Sequence, residues 1–102
     1  MSQDSQESHG ELDVIQKVEV PKKYKVILLN DDFTPMNFVT FILQRYFAKT
    51  ASEAEGIMLE VHKKGSGIAG VYSKEIAEMK VHQVNDVSKQ NEYPLKTIME
   101  AE

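Results

Sequence analysis

Cysteine is absent from the chain. That one absence excludes disulfides, thiolate zinc sites and a cysteine nucleophile together, while leaving the redox compartment open. No apolar run approaches the roughly 18 residues of a membrane span, and the first residues lack the basic-then-apolar pattern of a secretory signal. A soluble, cytoplasmic protein without membrane contact is therefore expected. An excess of basic charge is missing too: the net charge is −4, and no basic footprint for nucleic acid can be drawn from it. There is no internal repeat and no low-complexity tract.

The negative excess is concentrated at one end. Residues 1–20 hold Asp4, Glu7, Glu11, Asp13 and Glu19 against the single base Lys17, which accounts for the whole net charge and leaves the remainder neutral. This stretch is polar, contains Ser, Gln and Gly, and has no early hydrophobic period, so residues 1–20 are expected to form a disordered extension. Val14, Ile15, Val18 and Val20 give it a sticky end. On composition it is a solubilising tail, and the sharper alternative is a flexible arm that engages a partner. Residues 21–102 then form one domain with a single small core, consistent with 102 residues of which 41% are hydrophobic and 27% charged. A monomer is the expectation.

Hydrophobic periodicity orders that domain. Tyr24 to Leu29 is a strand apolar on both sides, expected well inside a sheet. From Met36 to Ala48, Val39, Ile42, Leu43, Tyr46 and Phe47 recur at spacings of three and four, with Phe38 and Phe41 widening the stripe of a core helix. Thr50-Ala51-Ser52-Glu53 matches a capping box and opens a second helix through Ala54, Ile57, Met58 and Val61. That helix ends at Lys63-Lys64-Gly65, with cations at the negative end of the dipole and a glycine for a left-handed cap. Ile68 to Tyr72 is a short strand. Ser73 caps a third helix with Ile76, Ala77, Val81, Val84 and Val87 on its inner face, fading near Gln90, and after Pro94 the run Leu95 to Glu100 is a last strand. The order β-α-α-β-α-β predicts a two-layer α/β (α+β) sandwich. Its three-stranded sheet, antiparallel or mixed, is covered on one face by three helices.

Two apparent motifs fail on context. Gly65-Ser66-Gly67-Ile68-Ala69-Gly70 spells G-x-G-x-x-G, but a dinucleotide fingerprint follows a strand and opens a helix, whereas here a helix precedes and a strand follows. The same serine is not a nucleophile elbow, which needs a spacer on each side and the strand-to-helix order. His9 lies in the tail and His82 on the polar side of the third helix.

The distinctive stretch is Asn30-Asp31-Asp32-Phe33-Thr34-Pro35-Met36, which sets three polar acceptors between an apolar strand and an apolar helix. Thr34 is placed as the helix N-cap and Pro35 at the first helical position, where its missing N–H costs nothing. The aspartates also suit a turn, where Asp side chains bond nearby backbone N–H groups. His62 borders the apolar stripe of the second helix, a position that also suits a packed or helix-terminal histidine. Asp31, Asp32 and His62 raise the idea of a metal site or an Asp/His acid–base pair, hence of a small hydrolase or metal-binding protein. No paired-histidine spacing, fourth ligand or nucleophile accompanies them. Neither metal nor cofactor is expected.

The whole run Tyr24-Lys25-Val26-Ile27-Leu28-Leu29-Asn30-Asp31-Asp32-Phe33-Thr34-Pro35-Met36-Asn37-Phe38-Val39 resembles the signature of the ClpS adaptor family. Met58-Leu59-Glu60-Val61-His62 with Gly65, Gly70 and Val71 resembles its second block. Glu75-Ile76-Ala77-Glu78-Met79-Lys80 with Asn91-Glu92-Tyr93-Pro94-Leu95 resembles its third. The likeness covers about residues 22 to 100. It implies recognition and not catalysis: an adaptor that binds polypeptides whose first residue is Leu, Phe, Tyr or Trp (N-degrons) and delivers them to the AAA+ unfoldase ClpA of the ClpAP protease.

By that resemblance Asn30, Asp31, Asp32 and His62 bind the α-amino group, and Thr34 holds the peptide backbone. Met36, Val39, Met58, Val61 and Leu95 form a hydrophobic pocket, while Glu75 and Lys80 meet the ClpA amino-terminal domain. The extension over residues 1–20, outside the matching part, corresponds in position to the family's delivery element. The chemistry is coherent, since an ammonium has three donors and needs about three converging acceptors. In an extended chain Asn30 and Asp32 share a side, which favours Asp32 over Asp31 as the direct carboxylate. Phe33 stands where the family often has tyrosine, and Asn37 where it often has an acid.

Overall fold

The computed structural model describes residues 20–102. The extension expected over residues 1–20 lies, apart from Val20, outside the described residues. The elements run β1 (Lys23–Leu29), α1 (Met36–Phe47), α2 (Ala51–Lys64), β2 (Ser66–Ser73), α3 (Lys74–Gln90) and β3 (Lys96–Ala101). The sheet has three strands in the order β2-β1-β3, both pairings antiparallel. The α+β sandwich read from the periodicity is the observed fold, with the doubly apolar β1 in the centre.

Alternation along β1 makes the two layers. Val26 and Leu28 are fully buried and join the core with Val39, Ile42, Leu43, Phe47, Met58, Val61, Ala77 and Val84 from the helices. Ile27 faces the other way, opposite Ile68 on β2 and Ile98 on β3, on the side of the sheet without helices. The β1–β2 register slips between Val26, paired with Gly70, and Ile27, paired with Ile68. Ala69 is thus the extra residue of a bulge, fully buried. At the outer edge of β3 the Asn85 side chain takes the place of a fourth strand: its amide donates to the Thr97 carbonyl (3.1 Å) and accepts from the Thr97 N–H (2.9 Å).

Capping follows the sequence at α2 and α3. Thr50 and Glu53 complete a reciprocal capping box, and Gly65 closes α2 at φ 90° with its N–H on the Val61 carbonyl (2.9 Å). Ser73 accepts from the Ile76 N–H at the start of α3.

Three details differ from the sequence reading. First, α1 begins at Met36 with Pro35 in the cap position (φ −63°, ψ 144°) and no side-chain cap. Thr34 does not serve there because its N–H and hydroxyl both donate to Asp31. Second, α1 ends at Phe47, and Ala48 is the left-handed cap (φ 54°). Third, Ile76 is 40% exposed. The buried line of α3 is Ala77, Val84 and Ser88, at spacings of seven and four, and Ile76 sits about 100° off it. Among the described residues no helix is long and apolar enough to cross a membrane.

Two glycines give a stability test with opposite signs. A Cβ on Gly67 would lie 2.7 Å from Val61 Cγ2, where β2 packs against α2, whereas one on Gly56 would meet nothing within 4 Å. Since valine is stiff at χ1, Gly67→Ala is expected to cost about 1–3 kcal/mol. Gly56→Ala, in an exposed helix interior, is expected to stabilise by about 0.5–1 kcal/mol. Urea midpoints of the two variants measure both.

Candidate functional site

The carboxyl end of β1, the loop from Asn30 to Pro35 and the start of α1 form one wall of a cavity, and the last turns of α2 form the other. The walls are fastened by backbone. The Asn30 N–H donates to the Gly65 carbonyl (2.9 Å), one residue beyond the Leu29–Ser66 pair of the β1–β2 ladder. Because α2 ends at Gly65, this bond brings His62, less than one turn earlier, up beside Asn30. Met58, Val61 and His62, spaced i, i+3 and i+4, share the face turned to the loop.

The cavity is about 180 Å³ and is lined by Asn30, Asp31, Asp32, Thr34, Met36, Val39, Met58, Val61 and His62. The structure thus brings together both aspartates, the asparagine, the histidine, the threonine and four of the five apolar residues named from the sequence. Leu95 is not in the wall. It is 4% exposed and packs in the same buried cluster as Val39, Met58 and Val61 of the floor.

The lining divides by chemistry. Val39, Met58 and Val61 are buried at 3–8% exposure and form an apolar floor, while Met36, 47% exposed, makes a lip. The polar side consists of oxygen and imidazole groups, and among the described residues no lysine or arginine lines the cavity. Lys64 instead lines the groove on the open face of the sheet.

The two aspartates have different work. Asp31 Oδ1 accepts from the Phe33 N–H (2.8 Å) and the Thr34 N–H (2.7 Å), and Oδ2 accepts from the Thr34 hydroxyl (2.7 Å). Its carboxylate organises the turn. Burial pushes the Asp31 carboxyl up, but the hydrogen bonds from Thr34 and Phe33 outweigh it and hold the group below the usual carboxylate range. Among the described residues neither the Asp32 carboxylate, the Asn30 side chain nor the His62 imidazole has a hydrogen-bond or ion-pair partner. All three are exposed at the mouth. Among the described residues no group of three or more His, Cys, Asp or Glu side chains is placed to hold a metal ion. The reading as a metal-binding protein or hydrolase gains no support from this arrangement.

Glu75 and Lys80 lie elsewhere. Glu75 is exposed in the first turn of α3, beside Val20, Pro21, Lys22 and Tyr24. Lys80 is not an ordinary solvated lysine. Its Nζ donates to the Tyr46 carbonyl (2.7 Å) in the last turn of α1 and lies over the rings of Phe47 (5.7 Å) and Tyr72 (5.3 Å). A helix-terminal carbonyl paired with a cation from a distant helix leaves no mark in local sequence. Cavity and Lys80 thus occupy opposite ends of α1, roughly 15 Å apart at ~1.5 Å per residue.

The family model described as "ATP-dependent Clp protease adaptor protein ClpS" matches residues 19–98. An ATP-dependent Clp protease adapter protein ClpS of Bdellovibrio bacteriovorus is 57% identical over 98 residues, covering 96% of this chain and 86% of that protein. Its counterpart in Hydrogenovibrio crunogenus is 54% identical over 84 residues, covering 82% and 81%. Among solved structures, Agrobacterium tumefaciens ClpS2 bound to L-phenylalaninamide superposes with a TM-score of 0.79 at 38% identity, covering 81% of this chain and 100% of that one.

The depressed Asp31 carboxyl has a stability signature. A lowered folded-state pKa contributes stability that is present above the unfolded carboxyl value, about 3.9, and is lost as pH falls through the folded-state value. Asp31→Asn is therefore expected to lower stability near neutral pH by about 1 kcal/mol, a modest figure because the group is partly solvated. The gap to the parent protein should narrow as the pH falls through the carboxyl range. Denaturant unfolding across that range checks it.

Proposed function

This chain belongs to the ClpS family of Clp protease adaptors, and from that premise we propose that its cavity recognises the free amino terminus of polypeptides with a bulky hydrophobic first residue. Leu, Phe, Tyr and Trp are the class, and delivery to a ClpA-type AAA+ unfoldase in the cytoplasm is the purpose. One observation carries the reading: among the described residues, acceptors without partners and a buried apolar floor share one small cavity that no lysine or arginine lines. An α-ammonium group offers three N–H donors, and Asn30 Oδ1, the Asp32 carboxylate and an unprotonated His62 nitrogen offer three acceptors. Asp31, whose oxygens serve the turn, holds the loop in shape beneath them. At about 180 Å³ the cavity takes a side chain and not a longer segment.

The ligand of the Agrobacterium relative supports this. L-phenylalaninamide is a primary amine next to a benzyl group, closed by an amide, which is the chemistry of a polypeptide that begins with phenylalanine. Burying one such side chain contributes roughly 1.5–3 kcal/mol, and each charge-assisted bond roughly 1.5–3. After association costs, micromolar affinity, about −8 kcal/mol, is within reach. Met36 and Met58, unbranched and adaptable, suit a slot that takes side chains of several shapes.

Thr34 extends the recognition to the backbone. Its hydroxyl proton is committed to Asp31 Oδ2, so its oxygen is left to accept, and the N–H of the substrate's second residue is the donor in reach. Glu75 and Lys80, both outside the cavity lining and Lys80 at the far end of α1 from it, are the proposed contact with the unfoldase amino-terminal domain. That separation lets substrate and unfoldase be held at once. Residues 1–20 are proposed as the arm that enters the unfoldase during delivery.

Fluorescence anisotropy with labelled peptides tests the reading. A peptide beginning with Phe is expected to bind at least about tenfold more tightly than its N-acetylated twin; equal affinity would remove the ammonium site. His62→Asn should weaken binding of the free-amine peptide and leave that of its N-acetylated twin unchanged. A Phe-Pro peptide, lacking the second N–H, should bind about fivefold less well than Phe-Ala, and Thr34→Val should erase that difference.

A further inference from the structure

Asp32 and Thr34 both line the cavity, and between them the chain turns one side chain outward: Phe33 stands 80% exposed. Among the described residues no other aromatic is as exposed, the next being Phe41 at 48%. The ring projects from a pinned backbone, since the N–H groups of Phe33 and Thr34 both donate to Asp31 Oδ1, at 2.8 and 2.7 Å. A cavity of about 180 Å³ receives one side chain, so the rest of a bound polypeptide leaves over the rim. Successive side chains of an extended peptide point to opposite sides. With the first in the cavity, the second is directed out along that rim. Thr34, the proposed acceptor for the second N–H, sets that residue next to Phe33.

We infer that Phe33 is a specificity platform for the second residue of the bound polypeptide, favouring an aromatic or long aliphatic side chain there. The inference rests on the amino-terminal reading of the cavity. A ring with two torsions, fixed at its backbone, gives contact area at low entropic cost and pairs edge-to-face or offset with another ring. The most exposed aromatic thus acquires a use in the bound state that it lacks in the free chain.

The test uses the full chain and labelled peptides Leu-Phe, Leu-Leu and Leu-Ala with a common remainder, each also N-acetylated. The parent protein is expected to prefer Leu-Phe and Leu-Leu over Leu-Ala by roughly 2- to 10-fold. Phe33→Ala should bring that ratio to about one and leave Leu-Ala affinity unchanged. Phe33→Tyr should keep the preference. Because the side chain is exposed, thermal melts of the variants should overlay that of the parent. An unchanged ratio in Phe33→Ala, no preference in the parent, or an equal loss for all three peptides overturns the role of Phe33 while free-amine dependence persists. If acetylated peptides bind as well as free ones, the amino-terminal reading itself fails, and the platform with it.

Discussion

The hydrogen bond from the Asn30 N–H to the Gly65 carbonyl is the joint on which the candidate site depends. It continues the β1–β2 ladder by one residue, just as β1 turns into the acidic loop and α2 turns into β2. Gly65 makes this possible, because only a residue at ease with φ 90° can end α2 and present its carbonyl to β1 at once. Everything polar in the cavity then lies within a few residues of one end or the other of that bond. The apolar floor follows from the same geometry, since Met58 and Val61 share a helix face with His62, and Val39 is one turn into α1.

Around this joint two adjacent aspartates are engaged differently. Asp31 has both oxygens in hydrogen bonds to Phe33 and Thr34, so its charge is balanced by fixed donors. Asp32 has no such partners among the described residues. A single aspartate asked to do both would either lose the turn when a ligand withdrew it or offer the ligand an oxygen already occupied. A pair of carboxylates with no lysine or arginine in the wall among the described residues also makes the mouth attractive to a cation. At the opposite end of α1, Lys80 closes the helix through the Tyr46 carbonyl and rests between two rings, so the proposed unfoldase face is built as firmly as the cavity.

Most of the fold was legible because its signals are local. The capping box at Thr50, the glycine stop at Gly65, the serine cap at Ser73 and the doubly apolar β1 each appear in the order the structure uses them. What was not legible depends on packing. The alternation argument separating Asp32 from Asp31 presumed an extended loop, where the structure has a hydrogen-bonded turn that engages Asp31. Pro35 as the cap residue, Ala69 as a bulge, Ile76 off the buried line of α3 and Leu95 in the core and not the cavity wall are all settled by neighbours distant in sequence. The site was half legible: Asn30 to Met36 are contiguous, and Met58, Val61 and His62 share a helical face. Their meeting needs a backbone bond that no side-chain pattern announces.

The central claim is that the acceptors at one end of this cavity hold the ammonium of another chain while its first side chain fills the other end. A crystal structure of this protein with a peptide beginning with phenylalanine tests it most directly. The account predicts the peptide's terminal nitrogen in hydrogen-bond contact with Asn30, Asp32 and His62, and its ring between Met36, Val39, Met58 and Val61. A terminal nitrogen left in solvent, or a peptide seated anywhere else on the protein, would contradict it.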